Sequence, residues 1–177
     1  VSRCPVRISL AGGSTDLDSF IQKQGRGAVI SFSANLYTYI SVFRDTFGQN
    51  FLDKQYNIVY TKKESAKNID DIQNELVRVV LNKFSCKPLS CWFTADLSSA
   101  GSGLASSSSY ILAFLHAINR LENLGLSKQE IIYTAWELEK EFNPLTGFQD
   151  PFGCAAGGLN LHEKNKGESV VTESIDA

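Results

Sequence analysis

The sequence predicts an α+β domain. Stretches rich in β-branched and aromatic residues dominate the first 60 positions, and amphipathic helical patterns occupy residues 69–84 and the chain after residue 105, so both strands and helices are expected. With 177 residues, 43% hydrophobic and 20% charged, the chain has enough apolar material for one globular core and is not a disordered segment.

Residues 6–10 (VRISL) alternate apolar and polar side chains as a half-buried strand does, and Ala11, Gly12, Gly13, Ser14 and Thr15 stop the pattern with a tight turn. A short helix over residues 16–24 follows, with Leu17, Phe20 and Ile21 at helical spacing and Gly25 just past its end. Residues 28–33 and 36–43 read as two strands parted at Asn35, and residues 56–60 as another after a polar loop. Residues 69–84 predict an amphipathic helix on the stripe Ile69, Ile72, Leu76, Val79 and Val80, with Asp70, Asp71 and Glu75 near its positive end and Lys83 in its last turn. Residues 91–96 form a short strand.

The run LSSAGSGLASSSS (residues 97–109) has the composition of a linker, but it leads straight into Ile111, Phe114, Leu115, Ile118 and Leu121 at helical spacing, where a linker would stay polar. It is the start of a core helix. A second helix begins at the capping box Ser127/Glu130 and follows Ile131, Ala135, Leu138 and Phe142 to Asn143 and Pro144. Residues 148–161 read as loop, turn and strand, and Asn165, Lys166 and Gly167 as a hairpin turn before Val170 and Val171. No repeat and no interdomain linker is found.

Seventeen Lys and Arg against nineteen Asp and Glu leave a net charge of −2, so nothing draws the whole molecule to nucleic acid or an anionic membrane, and any anion site is local. No run approaches the roughly 18 apolar residues of a membrane span, and residues 1–10 lack the apolar core of a secretion signal; a cytoplasmic protein is expected. Cys4, Cys86, Cys91 and Cys154 form no C-x-x-C pair, which fits buried reduced thiols better than disulfides or zinc. A chain that starts at Val1 and has no methionine is not expected to be an unmodified full translation product.

Chemistry concentrates in three places. A strand running into a small-residue loop that opens a helix points unpaired backbone amides and the positive end of a helix dipole at one spot, so residues 101–109 suit phosphate. No glycine is followed by lysine, which removes the P-loop signature, and Gly101-x-Gly103-x-x-Ser106 lacks the third glycine of the dinucleotide fingerprint. A serine hydrolase is excluded as well, because no Gly-x-Ser-x-Gly occurs and His116 and His162 read as ordinary packed or surface histidines. Asp150 lies in an apolar, small-residue segment where an unpaired carboxylate is costly, although it could also merely cap a turn. Pro151 is expected to hold it out of the helical region. On the helix after Ser127, Glu139 and Glu141 flank the apolar stripe at similar angles and Glu137 points away; the geometry leans to Glu139, and a solvated face would explain all three.

Three segments together resemble the GHMP kinase superfamily of galactokinase, homoserine, mevalonate and phosphomevalonate kinases. Gly101, Ser102, Gly103, Leu104, Ala105, Ser106, Ser107 and Ser108 resemble its phosphate loop, with Ser99 at the usual proline and Ala105 at a usual glycine. Arg7 through Leu17, with Gly12, Gly13, Ser14, Thr15 and Asp16, is similar to the sugar-binding motif of the heptose phosphate kinase branch; galactokinase has Glu-His at the places of Gly13 and Ser14. Gly147, Phe148, Gln149 and Asp150 resemble the segment carrying the catalytic Asp, with Pro151 where Gln is common.

The resemblance implies a mixed sheet with helices packed on one side (ribosomal protein S5 domain 2-like), comprising residues 1–177 as an N-terminal ATP-binding domain without its C-terminal partner domain. It implies ATP-dependent phosphorylation of a sugar hydroxyl, first of all the anomeric position of a heptose 7-phosphate. In that scheme Asp150 is the base, Arg7 keeps it ionised, the amides of residues 101–108 hold ATP, and Ser107 and Glu139 hold Mg2+. Gly12, Gly13, Ser14, Thr15, Asp16 and Gln149 bind sugar, and the intact protein is expected to allow a homodimer. Other sugars (galactose, fucose, a uronic acid), a non-catalytic nucleotide or sugar module, and a purely structural domain are the alternatives.

Overall fold

The computed structural model describes residues 1–44, 55–97 and 103–176. In chain order the elements are β1 (Ser2–Ala11), α1 (Asp18–Gln24), β2 (Arg26–Phe43), β3 (Tyr56–Val59), β4 (Lys63–Ala66), α2 (Glu75–Lys83), β5 (Ser90–Ala95), α3 (Ser106–Glu122), α4 (Lys128–Phe142), α5 (Gln149–Ala156), β6 (Leu159–Asn165) and β7 (Val171–Ser174). The seven strands make one sheet in the order β4-β3-β5-β2-β6-β7, with β1 also paired to β2. β3 and β5 run parallel and the other pairs antiparallel, which makes the sheet mixed.

Strand β2 organises this sheet. One edge carries β1 along most of its length, and the other carries β6 on residues 26–32 and β5 on residues 38–43. The expected break at Asn35 is not a strand end. Pro5 faces Tyr37 and Arg7 faces Ser33, so β2 accommodates extra residues in a bulge and continues. Inward residues of the sheet (Val29, Thr38, Ile40, Cys91) are buried, whereas the opposite face carries Phe43 and Trp92 as an exposed edge-to-face pair 5.3 Å apart.

Helix α3 is the core. Ile111, Leu112, Ala113, Phe114 and Leu115 are consecutive and fully buried, so this helix is apolar on every side at that level, packed on β1 and β2 and against α2, α4 and α5. Phe114 meets Phe93 of the sheet edge-to-face at 5.8 Å. The four cysteines are free and buried.

Four other expectations need correction. The helix predicted from residue 69 starts at Glu75, because Asn74 caps it by accepting from Val77 N at 3.1 Å; residues Ile69–Asp71 form a separate 3-10 turn. Strand β4 was not anticipated, and its Glu64 accepts from the amides of Gln73 (2.8 Å) and Asn74 (3.1 Å), which fixes the approach to α2. The first helix begins at Asp18, two residues later than expected. Residues 149–156 are helical where a loop was expected: Pro151 falls in the first turn of α5, where its missing N–H costs nothing.

Candidate active site

The phosphate loop enters α3 through Ala105, whose φ of 58° and ψ of 40° lie in the left-handed region. The first helical hydrogen bond joins Ser109 N–H to Ala105 O at 3.0 Å, so the amides before Ser109 mark an anion-binding helix end. Gly101 and Ser102, with Ser99, lie outside the described residues; Gly103, Leu104, Ala105, Ser106, Ser107 and Ser108 lie within them.

Helix α4 brings Glu139 to the same end of α3. Glu139 is 1% exposed, whereas Glu137 and Glu141 are exposed to solvent. Ser107 Oγ donates to Glu139 Oε1 at 2.5 Å, and Ser108 Oγ donates to Oε2. Burial pushes this carboxyl above its ordinary value, and the two hydroxyls pull it part of the way back. These are hard oxygen donors built around one carboxylate. That fits Mg2+, which takes one or two carboxylates and completes its shell with phosphate oxygens and water. Among the described residues no three acidic, His or Cys side chains form a metal-binding group.

Arg7 of β1 ties the loop to Asp150 of α5. Its Nη1 donates to Gly103 O at 2.8 Å and its backbone N to Leu104 O at 3.2 Å. Its Nε and Nη2 both donate to Asp150 Oδ1, at 3.1 and 2.5 Å, and Gln149 Nε2 reaches the same oxygen at 3.3 Å. All three of these side-chain donors converge on Oδ1, and among the described residues none is recorded on Oδ2. The Arg7 side chain is 8% exposed and that of Asp150 29%, so the pair opens to solvent only on the Asp150 side.

The loop of residues 12–16 lies beside this pair, and its residues divide into two groups. Gly13 and Ser14 are exposed. Thr15 is held by the protein: its Oγ1 lies 2.7 Å from Gly12 O and 2.8 Å from Ala28 O, and it accepts from Ala28 N at 3.1 Å. Gly12 has φ of 84°, and a Cβ there would stand 2.0 Å from Ala28 O, so the loop sits directly on β2. Asp16 is 5% exposed, and Gln149 N donates to its Oδ2 at 3.2 Å. Gln149 also bridges to the loop side of β1 by accepting from Ser9 Oγ at 2.9 Å.

Next to Ser106 and Ser107 a cavity of about 830 Å3 opens between the end of β3, the start of α2, β5 and α3. Tyr60, Leu76, Phe93, Tyr110 and Phe142 give it apolar and aromatic walls, and Asn74 and Thr94 give it polar edges. No local pattern in the chain announces this chamber, since its walls come from five separate segments.

A small-residue loop at a helix start, a buried carboxylate held by two serines and an arginine-held aspartate thus lie side by side at one end of the domain. The GHMP kinases N terminal domain model matches residues 71–158. It is 28% identical, over 98% of its length, to the D-glycero-alpha-D-manno-heptose 7-phosphate kinase of Campylobacter jejuni subsp. jejuni, and covers 53% of that protein. The fold is shared with a D-glycero-D-manno-heptose 1-phosphate kinase from Bacteriodes thetaiotaomicron (TM-score 0.83, 22% identity, 99% of this chain and 59% of that one). It is also shared with Lactococcus lactis galactokinase complexed with galactose (TM-score 0.69, 18% identity, 99% and 47%). The chain therefore spans about half the length of the relatives it matches. No helix among the described residues is long and apolar enough to cross a membrane.

Proposed function

We propose that the protein to which this chain belongs transfers the γ-phosphoryl group of ATP to a sugar hydroxyl, at the anomeric position of a heptose 7-phosphate. The observation that carries the reading is the state of Asp150: Oδ1 is occupied by Arg7 and Gln149, no donor among the described residues is recorded on Oδ2, and the side chain keeps 29% exposure.

The acceptor hydroxyl gives its proton to Asp150 Oδ2 as its oxygen bonds to the γ-phosphorus, and the bond to the bridging oxygen of ADP breaks. Arg7 keeps the carboxylate oriented and reaches the loop before α3 through Gly103, so base and phosphoryl donor share one anchor. Amides at the start of α3 receive the phosphates, and the base of the nucleotide occupies the cavity beside Tyr110 and Phe93. Ser107 and Glu139 would hold Mg2+, which offsets the charge of the phosphates when bound. Gly12, Gly13 and Ser14 present backbone and hydroxyl groups to the sugar together with Gln149, while Thr15 shapes their loop. The choice of heptose phosphate rests on the Campylobacter relative and on the Gly-Gly-Ser-Thr-Asp loop.

Asp150→Asn keeps the shape of the pair but cannot take the proton. The expected result is loss of ADP release of at least about a hundredfold with nucleotide affinity within about threefold of wild type. Undiminished turnover would remove Asp150 from this role. A panel of heptose phosphates, galactose, fucose and a uronic acid then identifies the acceptor; turnover confined to galactose would replace the heptose assignment.

A further inference from the structure

Helix α5 carries the base and has no cap of its own. Its N-cap residue is Phe148, which offers no side-chain acceptor, yet the first amides of a helix must be satisfied. Both acceptors come from Asp16, far away in the sequence: Phe148 N donates to Asp16 O at 3.4 Å and Gln149 N to Asp16 Oδ2 at 3.2 Å. The carboxylate is drawn into the start of the helix, where the dipole favours negative charge.

This insertion leaves no slack. A Cβ at position 147 would stand 1.9 Å from Asp16 Oδ2 and 2.5 Å from Cγ, so only glycine lets the two segments approach. On the other side of the loop, a Cβ at Gly27 would stand 1.9 Å from Thr15 O. Residues 15 and 16 are thus wedged between β2 and α5, and Asp16 retains 5% exposure.

We infer that Asp16 is a positioning residue: it caps α5 from the sugar loop and so fixes Gln149 and Asp150 relative to Gly13 and Ser14. Loop and base then form one rigid unit, and a hydroxyl seated on the loop meets Asp150 Oδ2 at a set distance. The inference rests on the kinase reading for its catalytic consequence, but the cap itself does not.

The test uses the full-length protein with Asp16→Asn, Asp16→Ala and Gly147→Ala. Asn still offers an oxygen acceptor and caps nearly as well as Asp, so Asp16→Asn should retain several-fold more kcat than Asp16→Ala. Asp16→Ala and Gly147→Ala should lower kcat about tenfold or more with the KM for sugar within about twofold. Amide exchange at Phe148 and Gln149, followed without substrate, should accelerate about tenfold in Asp16→Ala and stay near wild type in Asp16→Asn. A KM for sugar raised about tenfold in both Asp16 variants, with exchange unchanged, would make Asp16 a direct sugar ligand and overturn the inference. Should Asp16→Ala fail to fold, Gly147→Ala and the rescue by Asn decide in the same way. A wild-type protein without turnover on any sugar would sink the kinase reading alone, because the exchange measurement still reports on the cap.

Discussion

Arg7 is the residue on which the site turns, because a single guanidinium serves Asp150 through two nitrogens and Gly103 through a third. Lysine keeps the charge but has one nitrogen at the end of a flexible stem, so it cannot hold both partners in a fixed plane. Arg7→Lys is expected to lower kcat about a hundredfold while changing stability far less, measured as ADP release beside urea unfolding. A near-normal kcat would mean that charge alone suffices. Glu139 makes a second residue-scale prediction through its protonation. Burial raises its carboxyl above the ordinary value, so the folded state binds the proton more readily than the unfolded one. Its contribution to stability therefore falls as pH rises from the ordinary value through the raised one. Unfolding free energies of wild type minus Glu139→Gln, taken from pH 4 to 8, should decline with pH, and a rising difference would contradict the assignment.

At the scale of elements, the helix starts govern function. Ala105 holds the left-handed entry to α3, a conformation that costs an L-residue about 1–2 kcal/mol and a β-branched residue more. Ala105→Val should cost at least about 2 kcal/mol in chemical unfolding and weaken nucleotide binding; an unchanged midpoint would show that the loop rearranges freely. The hairpin of β6 and β7 carries His162, fully buried against Phe152, with Nδ1 on Thr172 Oγ1 at 2.9 Å and no partner for Nε2 among the described residues. Burial pushes its pKa down to about 4, so the folded state resists protonation that the unfolded chain accepts. Stability present above pH 6.5 is lost as pH falls toward 4, up to about 3 kcal/mol, and His162→Gln should flatten that part of the acid profile. An equally steep profile in the variant would exclude this histidine. What could be read from the chain follows the range of the interactions involved. The core stripe of α3, the capping box of α4 and the inward turn of Glu139 depend on residues within a few turns, and periodicity displays them. Helix α5 is hidden because its cap is Asp16, 133 positions before Gln149, and because Pro151 reads locally as a helix breaker. The bulge that keeps β2 continuous past Asn35 is likewise set by β1, not by β2 itself.

At the scale of the whole molecule, the site lies on an open surface of a chain that spans about half of its relatives, with Asp150 reachable by solvent. Phosphoryl transfer to a sugar must exclude water from the γ-phosphate, so binding and turnover place different demands on this domain. The elements that bind nucleotide in the proposed scheme, the start of α3, the Ser107/Glu139 pair and the cavity by Tyr110, are all contributed by this chain. The chain alone should therefore be stabilised by ATP with Mg2+ even where its turnover is slight. At a hundredfold excess over Kd the gain is about 2.7 kcal/mol, which for a chain of this size raises Tm by about 5–10 °C. Omission of Mg2+ should reduce the shift, and Glu139→Gln should make the shift insensitive to Mg2+. A melting temperature unmoved by saturating nucleotide would refute the nucleotide site and leave a purely structural domain of the same fold.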